Sequence, residues 1–92
     1  MTKVLEGFRV LDFGRYIAGP YCGTLLGDMG AEVIRIEKVD GSEDRFLSPV
    51  TDKGDGALFL QLARNKKCLT LNPMKPEGRE IVKKLVATAD VV

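Results

Sequence analysis

Apolar residues fall along this chain in short runs separated by glycine, proline and charge. Phe8 to Phe13 carries Val10, Leu11 and Phe13 between polar ends, a run apolar on both faces that reads as a buried parallel strand. Pro20 to Met29 predicts a short helix, with Pro20 in its first turn and Gly30 just past its end. Gly23 and Gly27 share one face of that helix, and a glycine pair at this spacing points to close packing against a strand or another helix. Val33 to Ile36 is a second strand. A connection rich in Gly, Asp, Ser and Pro then runs from Val39 to Gly56, a length that marks a functional or mobile loop. Ala57 to Leu62 predicts one helical turn, and Cys68 to Leu71 a third strand stopped by Asn72-Pro73. Pro76 opens the best helix. Glu77 and Glu80 lie near its start, Glu80 and Lys84 are spaced for an ion pair, and Ile81, Val82, Leu85, Val86 and Ala89 form its apolar stripe. Asp90-Val91-Val92 begins a fourth strand.

The fold class is therefore α/β: the N-terminal part of a Rossmann-like parallel sheet domain, incomplete in this chain. A domain seldom stops as a new core strand begins, so the 92 residues read as the first piece of a longer protein. With 45% hydrophobic residues the chain is too apolar for disorder, and a net charge of +1 without a basic run gives no case for nucleic acid. No apolar stretch is long enough for a membrane span and no signal peptide opens the chain, so a cytoplasmic protein is expected. Cys22 and Cys68 lack metal-like partners and read as buried, reduced thiols. The absence of histidine excludes a Ser-His or Cys-His relay within these residues.

A helix start aimed at the carboxyl end of a parallel strand is suited to phosphate. The first βα turn has neither G-x-G-x-x-G nor a P-loop lysine, since Gly14 and Gly19 enclose Arg15-Tyr-Ile-Ala18. Glu37 sits where a ribose-binding acid sits in dinucleotide folds, or is a solvated strand end. Arg64-Asn-Lys-Lys67 is a solvated charge run or a phosphate contact made by charge and by the Asn65 amide. Asp12 caps the turn through backbone N–H groups or serves as a catalytic carboxylate, the cap being the simpler reading. Asp44-Arg45 stabilises the long loop or meets a ligand.

Taken together, Leu5-Glu-Gly-Phe-Arg-Val-Leu-Asp12, Ala18-Gly-Pro20, Leu26 to Glu37, Asn65-Lys-Lys67, Pro76-Glu-Gly78 and Ala89-Asp-Val91 resemble the N-terminus of the family III CoA-transferases and the related α-methylacyl-CoA racemases. The resemblance implies the first segment of a CoA-binding Rossmann-like domain within an interlocked homodimer. It implies acyl-CoA and carboxylic acid substrates, with no permanently bound cofactor. Residues of the first turn would contact CoA, here Tyr16, Ile17 and Ala18, with Ile17 where a glutamine is frequent. Lys38 would address the nucleotide end, and the stretch from Leu71 to Lys75 would add contacts. The loop pattern Gly-Asp-x-x-Arg is altered to Gly41-Ser-Glu-Asp-Arg45. In the transferases an aspartate forms anhydride and aspartyl-CoA intermediates, and in the racemases a His/Asp pair moves a proton; both lie past position 92. The rival readings are racemisation within the family and a non-catalytic dinucleotide-binding α/β fragment.

Overall fold

A computed structural model describes residues 3–92. Three parallel strands, β1 (Arg9–Asp12), β2 (Glu32–Glu37) and β3 (Lys66–Thr70), stand in the order β1-β2-β3. Val91 bridges Val10 in parallel on the free side of β1, so the start of a fourth strand extends the order to that of a Rossmann sheet, 3-2-1-4. Residues directly opposite are Val10 and Val33, then Arg35 and Cys68.

Helix α1 (Ala18–Asp28) crosses from β1 to β2, and α2 (Ala57–Leu62) precedes β3 and touches α1. The crossover through α3 (Pro76–Thr88) returns the chain to β1, against which α3 packs, and the right-handed rule for such crossovers assigns α3 to the face opposite α1. The predicted helices and first three strands form, with ends shifted by at most two residues, and the fourth strand is represented by the Val10–Val91 bridge alone. The two-residue shifts are at the starts of α1, at Ala18, and of β3, at Lys66, and Pro20 lies within the first turn of α1 as expected. The missing N–H of Pro20 costs nothing there, because the first turn has no intrahelical acceptors to use.

Burial concentrates around β1 and β2. Val10, Ala31 and Val33 form the core cluster, with Leu5 and Leu26 packed against it. The two helix glycines make this possible. A Cβ on Gly27 would sit 3.3 Å from Val33 Cγ2, and one on Gly23 would sit 3.2 Å from Asp12 Oδ2. Gly30, at φ +107°, supplies the left-handed residue that ends α1.

The second face is thinly covered. Of α3 only Gly78 is buried, and Ile81 and Val86 of the predicted stripe remain 45% and 43% exposed. Glu80 pairs with Lys83 at 3.4 Å rather than with Lys84. Both cysteines are free but exposed, against the expectation of burial: Cys22 lines an open groove beside β1 and Val91, and Cys68 lies on a strand most of whose residues are exposed.

Candidate functional site

The chemistry of this chain gathers at the carboxyl ends of β1 and β2, where charged side chains are buried rather than solvated. Asp12 ends β1. One of its oxygens accepts the Gly14 N–H at 2.8 Å, as expected for a turn cap. The other accepts Lys66 Nζ at 2.8 Å, and the same ammonium donates to the Pro20 carbonyl at 2.8 Å. The Lys66 side chain is fully buried, so this lysine is not part of a solvated run. It runs beneath α1 and joins β3 to the first helical turn, with Thr24 Oγ1 donating to the same carbonyl at 2.8 Å. A buried ammonium satisfied by a carboxylate and a carbonyl fixes the angle at which α1 leaves the strand.

A second set of ion pairs ties β2 to the loop that follows it. Along β2 the residues Val33, Arg35 and Glu37 share one face, and Arg35 and Glu37 are each 2% exposed. Their partners lie in a 3₁₀ turn, Glu43–Arg45. Arg35 Nη2 donates to Asp44 Oδ1 at 2.7 Å, and Arg45 grips Glu37 with two nitrogens, Nε at 2.9 Å. The Ser42 N–H also donates to Glu37, at 3.2 Å. Burial pushes the Glu37 carboxyl up, but Arg45, the Ser42 N–H and Arg35 outweigh it and hold it at about 2. Both guanidinium groups stack over Phe59, Arg45 at 4.1 Å and Arg35 at 5.3 Å from the ring centre. Glu37 is thus neither a solvated strand end nor a ribose acceptor, and Asp44-Arg45 is an internal clamp.

This clamp reaches the first βα turn. Tyr16 adopts φ +66°, and its N–H donates to Asp44 Oδ2 at 3.1 Å. Gly14 and Gly19 close the turn by touching: a Cβ on either would fall 2.8 Å from the other's Cα. The turn therefore projects Tyr16 and Ile17 outward, Ile17 being 64% exposed. The first helical bond is Tyr21 N–H to the Ile17 carbonyl, at 2.8 Å, and the Ala18 and Gly19 N–H groups find no acceptor among the described residues.

Lys38 follows β2 and pairs with Glu43, which also pairs with Arg15 of the turn. The Lys38 ammonium, the Glu43 N–H and Arg15 hold the Glu43 carboxyl at about 2. Lys38, Val39 and Asp40 face Asn72 and Pro73 across a cleft of ≈ 260 Å³. Of the residues named from the sequence, Lys38 lines this cleft. Leu71 is buried beneath it, its N–H on the Glu37 carbonyl at 3.0 Å, and Lys75 lies beyond it as the N-cap of α3. Tyr16, Ile17 and Ala18 form a separate part of the site, joined to the cleft through Arg15, Glu43 and Lys38.

The basic run before β3 has a different role from phosphate contact. Arg64 and the Asn65 amide both bond Asp28, at 2.7 and 3.1 Å, and Lys67 lies 3.9 Å from Glu32. A cavity of ≈ 600 Å³ opens at this amino end of the sheet, lined by Arg9, Glu32 and Lys67. It lies at the opposite end from that at which parallel α/β sheets present ligands.

Such a turn, strand-end lysine and post-β3 loop invite comparison with known proteins. The CoA-transferase family III model matches residues 5–92. The chain belongs to CoA-transferase family III. It is 43% identical to the succinyl-CoA–L-malate CoA-transferase beta subunit of Chloroflexus aurantiacus, over 99% of this chain and 23% of that protein. It is 42% identical to the formyl-CoA:oxalate CoA-transferase of Rhodopseudomonas palustris, over all of this chain and 22% of that one. Among solved structures, a CAIB/BAIF family protein from Brucella suis superposes with a TM-score of 0.90 at 36% identity, covering 99% of this chain and 25% of that one. The chain thus spans about a quarter of the length of these relatives. Relatives in this family are enzymes that move CoA between acids, and no helix among the described residues can cross a membrane.

Proposed function

We propose that the whole protein transfers CoA from an acyl-CoA to a carboxylic acid, and that these residues form part of its CoA site. The observation that carries the proposal is the family match across residues 5–92, and the geometry at the carboxyl ends of β1 and β2 supports it. CoA presents a diphosphate and a 3′-phosphate. The unsatisfied Ala18 and Gly19 N–H groups at the start of α1 suit one anionic group, with Tyr16 and Ile17 beside it. Lys38 and the Asn72-Pro73 wall of the cleft suit the nucleotide end, and Lys75 and the Leu71 backbone flank that wall.

Transfer proceeds through an aspartate supplied from beyond this segment. Its carboxylate attacks the thioester carbonyl and expels CoA thiolate, leaving a mixed anhydride. The thiolate attacks the aspartyl carbonyl, releases the first acid and forms aspartyl-CoA, on which the second acid repeats the sequence in reverse. Asp12 and Asp44 do not take this part, because each spends both oxygens on its own chain. The functional protein is a homodimer with interlocked chains.

The test is direct. Whole protein incubated with an acyl-CoA and a panel of acids yields a new thioester, and borohydride reduces the aspartyl-CoA thioester to an alcohol at one aspartate, releasing CoA. Exchange of the α-proton without CoA transfer would replace this reading with racemisation.

A further inference from the structure

Tyr16 occupies a left-handed conformation without being glycine, and a residue so placed stays there only when its surroundings insist. The insisting group is Asp44, 28 residues away in sequence, which accepts the Tyr16 N–H at 3.1 Å. Asp44 is itself buried and aimed by Arg35, whose guanidinium is fixed between the carboxylate at 2.7 Å and the Phe59 ring. Every contact of Asp44 named here is to the protein, so it acts through the turn and does not meet the reacting atoms.

We propose that Asp44 is a positioning residue for the CoA-binding turn, holding Tyr16 left-handed so that Ile17 to Gly19 face the ligand, with Arg35 holding Asp44. This rests on the reading that the turn binds CoA. Without Asp44 the Tyr16 peptide relaxes to a commoner conformation and the N–H groups that follow turn away. The effect falls on affinity for CoA and on KM, while kcat at saturation stays near wild type.

The experiment measures CoA binding to the whole protein by calorimetry. Asp44→Ala is expected to weaken binding about five- to tenfold, the scale of one lost hydrogen bond together with released strain. Asp44→Asn keeps an oxygen for the Tyr16 N–H but sets its amide nitrogen against Arg35, and recovers part of the loss. Glycine takes the left-handed conformation unaided, so adding Asp44→Ala to Tyr16→Gly costs less than twofold. An equal loss in both backgrounds would overturn the positioning role, and so would an unchanged affinity in Asp44→Ala. The underlying site reading has its own readout: CoA slows hydrogen exchange at the Ile17 to Gly19 amides of the wild type. Protection there with normal Asp44→Ala affinity sinks only the positioning role, whereas no protection sinks the site.

Discussion

Strands β2 and β3 are neighbours in one sheet, yet they are held by opposite means. β2 buries four of its six residues, among them Arg35 and Glu37, and each of these two charges is paired with one from the following loop. β3 hides the Lys66 side chain but leaves three of its five residues exposed, and the helix after it leaves an apolar stripe half exposed. So the well-covered half of the molecule is rich in buried charge, and the thinly covered half is rich in uncovered apolar surface. Hydrophobicity alone does not say where the core lies. What matters is whether a surface has found its complement, and the described residues supply one for β2 and leave most of β3 and α3 without.

The sharpest way to break this contrast is at two adjacent lysines. Lys66→Met strands Asp12 under α1 without a counter-charge, and should cost about 3–5 kcal/mol in urea denaturation of the whole protein. Lys67→Met, at the exposed neighbour, should stay within about 0.5 kcal/mol. Similar costs at the two positions would erase the distinction between a buried relay and a surface charge.

Acid probes the β2 clamp next. Glu37 is held at about 2 against an ordinary 4.5, so its folded value lies below its unfolded one. Its contribution is complete above about pH 4.5 and is lost as the pH falls towards 2. Denaturation midpoints followed from pH 6 to pH 2 should drop across that window, and Glu37→Gln should flatten the drop while lowering stability at neutral pH. A wild-type midpoint that is level between pH 5 and 3 would contradict the clamp.

The α3 stripe gives a smaller effect of opposite sense. In residues 1–92 alone, Ile81→Lys with Val86→Lys should change stability by no more than about 0.5 kcal/mol, because both side chains are already half in water. Self-association seen by sedimentation should fall, since uncovered apolar faces and strand edges promote it. The smallest change is expected at Glu43. Its bridge to Arg15 and Lys38 is exposed, and Glu43→Gln releases two cations towards the site, so CoA should bind about two- to threefold tighter at low salt, an exposed-pair magnitude. The gain should vanish at high salt.

How much of this was legible in the sequence depended on the range of the interaction. The elements were legible because period and punctuation are local: Gly30 ends α1, Pro76 starts α3, and Val10-Leu11 marks β1. The turn cap at Asp12 was legible for the same reason, its partner being two residues away. Lys66 reads in the sequence as solvated charge or as a phosphate contact, because its partner Asp12 lies 54 residues off and nothing local marks the pair. The cysteines were misplaced because burial was inferred from residue type, whereas Cys68 sits on a strand that little covers. The β2 clamp did leave a trace. Arg35 and Glu37 share one face of an apolar strand, and Asp44-Arg45 offers the complementary charges in the loop that follows. Charge of one order in a strand and the reverse order in the next loop is a readable sign of a buried double pair.

The touching Cα atoms of Gly14 and Gly19 have a consequence for how this turn can change over evolution. A clasp made of two backbones carries no chemical information of its own, and no side chain can be added to it. Inside it the Tyr16 and Ile17 side chains project outward, while the Tyr16 N–H and the Arg15 guanidinium tie the loop to Asp44 and Glu43. Variation is therefore permitted within the loop and forbidden at its base. A library randomised at Ile17 and Ala18 would sample new ligand contacts on an unchanged frame, while one randomised at Gly14 or Gly19 would sample misfolded frames.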